Sequence, residues 1–271
     1  MTKERVLIAV KTYPTLSKSY TELVCTAGFR EDGSWVRIYP SPFRFLNDTQ
    51  RYQKYQWIEL DLAKNLKDVR PESFNPTNID AIELHEKIGT EREWEKRRDL
   101  ILNQNQVFTN LAEIIAGAKS NEMSLAVFKP TKVLDFSAES VAGEWELSKK
   151  EAALEARKQG SLFDETDWSD FKIVRKLPWK FKYRFIDDAG KEATLMIEDW
   201  EVGQLYWNCE KGRTPEEAVA MVRRKYFDDF VKTKDLYFFL GTTREWHQRA
   251  LNPYVIVGTF HPPFQTQIPL L

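Results

Sequence analysis

The stretch PWKFKYRFIDDAGKEATLMIEDWE, residues 178–201, decides the fold that the sequence predicts. Along its first arm, three aromatic side chains alternate with three cationic ones: Phe181, Tyr183 and Phe185 with Lys180, Lys182 and Arg184. A period of two places the two sets on opposite faces of a β-strand. A turn that ends at Gly190 and an apolar return arm, residues 193–197, complete a β-hairpin. We expect the aromatic face to be core. The cationic face has no folding reason to collect like charges, so it indicates a polyanionic partner.

Composition limits the classes of protein to which the chain can belong. Its 271 residues, 42% hydrophobic and 13% aromatic, suffice for one large or two small domains rich in β-structure. The formal net charge is only −1, so overall charge alone does not indicate nucleic acid. The charge is uneven, however: residues 1–56 hold nine Lys or Arg against five Asp or Glu, and residues 137–172 hold five against nine. This segregation favours one surface for a polyanion and another for solvent or a basic partner.

Strand signals dominate the first sixty residues. Four short apolar or alternating runs are bounded by turn residues: 6–10, 22–29, 35–39 and 57–62. An Asp-Gly turn at residues 31–34 joins the second run to the third. This spacing predicts a small barrel or meander.

The second half of the chain combines the hairpin with helices. Thr214, Pro215 and Glu217 are typical of a helix start, and apolar runs at 236–240 and 254–260 predict two further strands. We therefore predict a mixed α+β fold of two small β-barrel or OB-like units joined and covered by helices. The predicted boundaries are an N-terminal barrel-like unit with a helical block, an acidic linker and a C-terminal α+β unit: 1–136, 137–170 and 171–271.

Signatures of catalysis, of metal binding and of cofactor binding are absent from the sequence. His85, His247 and His261 have no partner at ligand spacing, and Cys25 and Cys209 are best interpreted as separate buried thiols. There is no nucleophile elbow, P-loop or dinucleotide fingerprint. We predict no catalytic residue, no metal and no cofactor. The alternative is a metal-dependent nuclease, for which Glu198 and Asp199 at a strand end are the best candidate carboxylates.

Three elements favour nucleic-acid binding. One is the cationic arm of the hairpin. Another is the third strand, where stacking rings and phosphate donors share one face: Trp35, Arg37 and Tyr39, continued by Arg44. The last is the loop 11–20, in which Lys11 and Lys18 offer donors to phosphate oxygens. Single-strand binders combine a positive groove with aromatic platforms on small barrels. The alternative is that the rings are half-buried core and the lysines keep the sheet soluble.

A short segment of the acidic linker indicates a possible protein partner. Residues 159–163, QGSLF, resemble the Q-x-S-L-F pentapeptide with which bacterial replication and repair proteins dock on the sliding clamp. Gln159, Leu162 and Phe163 would carry this contact from a predicted loop. The alternative is that Leu162 and Phe163 attach the linker to the core.

Five runs, GSWVRIYPSPFR, LPWKFKYRF, IEDWEVGQLYWN, DLYFFLGT and YVIVGTFHPP, resemble an uncharacterised group of prokaryotic proteins. The chain is also similar to proteins described as dual OB-domain modules of antiviral defence loci. Some relatives carry Cys and His in the hairpin turn, as if to hold a metal. Here residues 185–192, FIDDAGKE, contain neither residue type. The resemblance implies no established activity.

Together these features predict a non-catalytic, nucleic-acid-binding accessory protein of a bacterial DNA-transaction or defence system. DNA and RNA are both open as partners, and a larger protein complex or the sliding clamp is a further one. A nucleic-acid-processing enzyme and a protein–protein adaptor are the alternatives. The apolar run near the N-terminus is too short for a membrane span, so we expect a cytoplasmic protein with no membrane partner.

Overall fold

The protein is mixed α+β, as predicted. Its structure is a computed structural model that describes residues 2–17, 21–41, 43–46, 49–161 and 173–265. Most strands belong to two small barrels that follow one another along the chain and pack side by side.

The first barrel is closed by five strands. In chain order these are β1, β3, β4, β5 and β6, with two short strands beside them: β1 (Thr2–Lys11), β2 (Thr15–Ser17), β3 (Thr21–Phe29), β4 (Trp35–Ser41), β5 (Gln56–Lys64), β6 (Ser73–Pro76) and β7 (Glu83–Lys87). The pairing runs β1-β3-β4-β6-β5 and returns from β5 to β1. Strand β1 is shared, because its first half pairs with β5 and its second half with β3. The contact between β4 and β6 is parallel, and the others are antiparallel. This is the five-stranded Greek-key order of an OB-fold.

The second barrel repeats this order. Its strands are β8 (Val107–Phe108), β9 (Leu125–Phe128), β10 (Lys132–Ser140), β11 (Trp179–Ile186), β12 (Glu192–Met196), β13 (Tyr237–Thr242) and β14 (Tyr254–Phe260). Strands β9 and β10 are separated by three residues and act as one shared first strand, since β9 pairs with β13 and β10 with β11. A parallel bridge between Ile197 and Ile256 joins β12 to β14. The two OB-like units predicted from the sequence are therefore confirmed.

Helices connect and cover the barrels. They are α1 (Glu91–Arg98), α2 (Leu111–Lys119), α3 (Leu147–Ser161), α4 (Trp200–Glu210), α5 (Pro215–Arg223) and α6 (Phe230–Thr233). The predicted start of α5 is confirmed as a capping box, in which Thr214 Oγ1 accepts from the Glu217 backbone and the Glu217 carboxylate accepts from the Thr214 backbone. None of the helices in the described part of the chain is long and apolar enough to cross a membrane.

The hairpin is the centre of the second barrel. Phe181, Tyr183 and Phe185 on β11 are completely buried, so the prediction that the aromatic face is core is confirmed. Tyr183 stacks on Phe238 with ring centroids 5.0 Å apart. Its hydroxyl donates to the Tyr226 carbonyl at 2.5 Å, which satisfies a buried polar group.

The outer faces of the two barrels share a second core. Leu7 and Phe29 of the first barrel pack with Val127, Phe239 and Val257 of the second, and all five are buried. The predicted linker, residues 137–170, begins inside β10 and includes α3, and β10 pairs with β11 in one sheet. The prediction that residues 1–136 and 171–271 form separate units stays a prediction.

Candidate functional site

A cavity of about 390 Å³ lies between the two barrels, and we call it the inter-barrel cavity. The first barrel lines it with β3 and β4, which are its second and third strands, and with two loops. One loop connects β1 to β3, the first and second strands of the barrel, and the other connects β5 to β6, the fourth and fifth. The lining residues from these four elements include Thr12, Tyr13, Cys25, Arg37, Tyr39 and Arg70. The second barrel closes it with Trp145, Lys176, Glu198, Thr243 and Arg244. In OB-folds, these strands and these two loops are the elements that bind oligonucleotides and oligosaccharides.

Arg37 is the most unusual residue of this cavity. Its side chain is only 1% exposed, and its guanidinium donates to Ser124 twice, to Oγ at 2.5 Å and to the carbonyl oxygen at 3.2 Å. Its Nε has no hydrogen-bond partner, and no carboxylate of the described residues forms an ion pair with it. Burial lowers the pKa of Arg37, and the neighbouring Arg70 lowers it further. A buried cation without an acid is costly, and an anion in the cavity would compensate it.

Arg70 orders the loop between β5 and β6. Its guanidinium pairs with the Asp68 carboxylate at 2.6 Å and donates to the Thr242 carbonyl at 2.5 Å, so this loop is fastened to the second barrel. Burial acts to raise the pKa of Asp68, but the hydrogen bonds and charge of Arg70 outweigh it and hold that pKa at about 2. Arg70 therefore holds the loop in position, and the Asp68 carboxylate already neutralises its charge.

The rim of the cavity is cationic and aromatic. Arg244 is exposed and forms neither a hydrogen bond nor an ion pair with a described residue. Among the described residues, Lys176 donates only to the Glu144 carbonyl, at 3.3 Å, and its ammonium lies 5.8 Å from the Trp145 ring centroid. Tyr39 adds a half-buried ring. This arrangement places phosphate donors beside surfaces on which a base can stack.

Two family models match the chain and meet where the first barrel ends and the second begins. Residues 2–103 match the family described as "Domain of unknown function (DUF8758)". Residues 104–270 match the one described as "Domain of unknown function (DUF8757)". The chain belongs to the DUF8757 family. No curated protein matches it.

Among solved structures, the one titled "Crystal structure of the tetrameric p202 HIN2" is similar to this DUF8757 chain at 8% sequence identity and a TM-score of 0.30. The match covers 97% of this chain and 92% of that one. At this level of similarity it carries no argument about function.

The residues predicted on the third strand are only partly brought together. Arg37 and Tyr39 line the inter-barrel cavity, but Trp35 packs between the barrels, 4.0 Å from Phe29 and 5.6 Å from Phe239 by ring centroids. The sequence places them correctly on one face of β4. It does not show that the second barrel covers the Trp35 end of that face.

Arg44 and Lys11 do not line the inter-barrel cavity. The Arg44 guanidinium pairs with the buried Glu22 carboxylate at 2.5 Å, so its charge is neutralised internally. The Lys11 ammonium lies 4.3 Å from the Phe43 ring centroid and lines a different cavity. Lys18 falls outside the described residues.

The cationic arm of the hairpin has acidic neighbours on the adjacent strands, which gives the like charges a partner within the fold. Lys182 pairs with Glu139 of β10, and Arg184 pairs with Glu192 of β12 at 3.0 Å. Lys180 is exposed and lies opposite Glu139 in the strand register. These acids come from the adjacent strands of the sheet, which is why the sequence of the arm alone does not reveal them. The role of this face in binding stays a prediction.

The carboxylates of the nuclease alternative point to different places. Glu198 lines the inter-barrel cavity, and burial raises its pKa. Asp199 is buried and caps α4 by accepting from the Glu201 backbone at 3.1 Å. Within the described ranges, no three or more His, Cys, Asp and Glu side chains are grouped so that they could hold a metal ion.

The predicted docking peptide lies at the end of α3. Gln159 belongs to this helix, which runs to Ser161, and not to the predicted loop. Leu162 and Phe163 fall outside the described residues. Docking on a partner through these positions stays a prediction.

Sequence reasoning missed Arg70, Lys176, Arg244 and Ser124. Each lies in a polar loop or next to a strand end, where charged and hydroxyl residues are ordinary. Only the closure of both barrels brings Arg70, Lys176 and Arg244 to one cavity, and Ser124 into contact with Arg37 in its wall.

Proposed function

We propose that the protein binds single-stranded nucleic acid, with one nucleotide of the strand entering the inter-barrel cavity. The observation that carries this proposal is the buried guanidinium of Arg37, which has an unbonded Nε, lacks an acidic partner among the described residues and faces the cavity. A phosphate oxygen would accept a hydrogen bond from the Nε–H of Arg37, and the phosphate would balance the charge of the guanidinium.

The position and size of the cavity support the proposal. It is formed by the strands and loops with which OB-folds bind oligonucleotides. A volume of about 390 Å³ lies within the range of small-ligand sites, roughly 300–1,000 Å³, and suits a single nucleotide. Arg244 and Lys176 at the rim would contact neighbouring phosphates, and Tyr39 and Trp145 would stack on a base.

The biological role that we propose is that of a non-catalytic accessory protein of a bacterial DNA-transaction or defence system. Its support is the sequence resemblance to dual OB-domain proteins of defence loci, together with the repeated barrel. The proposed ligand is single-stranded DNA or RNA, because the cavity offers donors to phosphate and rings to bases, which both polymers carry.

The proposal is tested by fluorescence anisotropy with labelled single-stranded DNA, single-stranded RNA and duplex DNA of equal length over a range of salt concentrations. We expect single strands to bind more tightly than duplex. The double variant Arg244→Gln/Lys176→Gln should weaken strand binding and flatten the log–log salt slope by roughly 1.4, about 0.7 for each lost phosphate contact.

The matched control is Arg249→Gln, which removes an exposed charge from the same loop as Arg244 but does not line the cavity. It should leave both affinity and slope unchanged. Failure of the wild-type protein to bind any of the three probes would overturn the proposal, and so would an equal loss in the control and the double variant.

A further inference from the structure

A second cavity, of about 650 Å³, lies between the first barrel and the helices of the second. The first barrel and α1 contribute Lys11, Lys54, Trp94 and Arg97, and the helical side contributes Trp200 and the adjacent His261. The inter-barrel cavity and this second cavity share no lining residue. An inference about the second cavity therefore does not rest on the strand-binding proposal.

Two cations of the second cavity have no acidic partner among the described residues. The Lys11 ammonium lies 4.3 Å from the Phe43 ring centroid and 5.9 Å from that of Trp200, and within the described part of the chain its one hydrogen bond is to the Tyr52 carbonyl at 3.5 Å. Arg97 is only 6% exposed.

The Arg97 guanidinium uses only part of its hydrogen-bonding capacity. Its Nε and Nη2 donate to the Ile88 carbonyl, at 3.0 and 2.7 Å, which leaves Nη1 without a partner in the described structure. The guanidinium carbon lies 3.9 Å from the Tyr55 ring centroid and 4.7 Å from that of Trp94. A guanidinium stacked on rings with one free nitrogen is well suited to bind an oxyanion.

The acids nearby do not neutralise these two cations. Lys54 is almost fully buried. Its ammonium forms ion pairs with the Glu201 carboxylate at 2.8 Å and the Asp199 carboxylate at 3.7 Å, and it donates a hydrogen bond to the Thr259 carbonyl at 3.2 Å. Of the charged residues that line the cavity, five are basic and one, Glu201, is acidic: Lys11, Lys54, Lys87, Arg97 and Lys225 are the basic ones. The cavity is therefore positive overall, which favours an anion with more than one charge.

Two buried polar atoms in the wall have no hydrogen-bond partner in the described part of the structure: the Tyr55 hydroxyl and the Nδ1 of His261. Burial lowers the pKa of His261 to about 3, so its imidazole is neutral at physiological pH and carries one N–H. The imidazole stacks on Phe230 with ring centroids 3.6 Å apart. Unsatisfied polar groups in an aromatic wall are typical of a site that a ligand with both polar and ring parts completes.

We propose that the second cavity binds a free nucleoside polyphosphate. Lys11 and Arg97 contact the phosphates, the indoles of Trp94 and Trp200 contact the planar base, and the Tyr55 hydroxyl and His261 complete the polar contacts. Phosphate alone would leave the aromatic wall unused, and a nucleoside alone would leave the two cations unbalanced. Both parts of the ligand therefore contribute to its affinity.

The test is isothermal titration calorimetry of the full chain with three probes: ATP, pyrophosphate and adenosine. We expect ATP to bind at least about tenfold more tightly than either fragment, because each fragment lacks one set of contacts. Pyrophosphate or adenosine binding as tightly as ATP would overturn the proposal, and so would the absence of ATP binding at millimolar concentration.

Variants locate the site. Lys11→Met keeps the length of the side chain and removes its charge, and it should weaken ATP binding about tenfold or more. Arg244→Gln at the rim of the inter-barrel cavity should leave ATP binding unchanged. If Arg244→Gln weakens ATP binding and Lys11→Met does not, the nucleotide occupies the inter-barrel cavity and the proposal fails.

A competition experiment separates the free nucleotide from the end of a strand. Saturating ATP should not displace a labelled single-stranded oligonucleotide from the wild-type protein, because the two cavities are distinct. Complete displacement at the Kd of ATP would contradict a separate nucleotide site without affecting the strand-binding proposal. Loss of oligonucleotide binding in the Arg244→Gln/Lys176→Gln variant with ATP binding intact would support both proposals.

Discussion

The guanidinium of Arg37 on β4 donates to the hydroxyl of Ser124, 2.5 Å away, immediately before β9. This hydrogen bond crosses from the first barrel to the second. The Ser124 hydroxyl donates in turn to the Glu72 carboxylate at 2.5 Å, and the Ser124 backbone N–H donates to the same carboxylate at 2.8 Å. Ser124 thus connects the buried guanidinium of Arg37 to the Glu72 carboxylate, with which that guanidinium forms no ion pair, and the wall of the inter-barrel cavity depends on that connection.

Ser124→Ala should destabilise the protein by about 1–3 kcal/mol, because it removes one partner from Arg37 and one from Glu72 while both remain partly or fully buried. Urea denaturation measures the change. The control is Ser34→Ala, whose hydroxyl donates to Asp32 at 2.6 Å on the exposed surface, where we expect a change under ~0.5 kcal/mol. Equal effects in the two variants would show that the connection through Ser124 is not important for stability.

Arg37→Met should separate binding from folding. Replacing a buried cation that has no ion pair with an apolar side chain of similar length is expected to leave the melting temperature unchanged or to raise it. The same variant should lose most of its affinity for single strands, because the free Nε donor and the charge are both absent. Differential scanning calorimetry and anisotropy measure the two effects. A large fall in melting temperature would identify Arg37 as a structural residue.

The strands and their buried faces could be predicted because their signals are local. The alternation of Phe181, Tyr183 and Phe185 with cations requires only the period of a strand, and the capping box at Thr214 requires only four consecutive residues. The repetition of two small barrels follows from several such runs with turn residues between them.

The site could not be predicted in the same way, because it depends on pairing between distant strands. Glu139 neutralises Lys182 only because β10 lies beside β11, and that register is set by the closed second barrel. In the alternating pattern of β4, Arg37 occupies a position that is typical of an exposed residue, yet the second barrel covers it. Arg244 reaches the same cavity from a loop about two hundred residues later.

The cationic arm of the hairpin gives a graded prediction about salt dependence. Changing Lys180, Lys182 and Arg184 together to Gln would flatten the log–log salt slope on duplex DNA by roughly 2–3 if all three bound phosphates. Because Lys182 and Arg184 already have acidic partners, we expect a smaller change, below about 1. Anisotropy over a salt series measures the slope. A change of 2 or more would restore this face as a principal binding surface.

Phe239→Ala tests whether the barrels unfold together. Phe239 is completely buried in the core that the barrels share, so the variant should lose about 3–5 kcal/mol of stability through the cavity that it leaves. If the barrels form one cooperative unit, tryptophan fluorescence and far-ultraviolet circular dichroism will report coincident urea transitions in both proteins. Two separated transitions would instead support independent folding units.

Lys11→Met should stabilise the protein while it weakens the proposed nucleotide site. Burial lowers the pKa of Lys11 from 10.5 to about 8, with Glu201 and Asp199 attracting its charge and Lys54 and Lys87 repelling it. Between about pH 8 and 10.5 the unfolded chain therefore binds the extra proton, so the Lys11 contribution to the free energy of unfolding rises with pH across that window.

Below pH 8 the buried ammonium destabilises the fold, by ~3 kcal/mol at most for a pKa change of this size. Lys11→Met removes that cost, so at pH 7 its free energy of unfolding should exceed that of the wild-type protein, and the difference should shrink as the pH rises through the window. Urea denaturation at a series of pH values measures this difference directly, because the other titrating groups are common to both proteins.

Lys225→Met, at the exposed rim of the same cavity, is the control and should change stability by less than ~0.5 kcal/mol. A difference between wild type and Lys11→Met that does not vary from pH 7 to pH 10 would mean that the Lys11 ammonium is solvated, and the second cavity would then lose one of its two unbalanced cations.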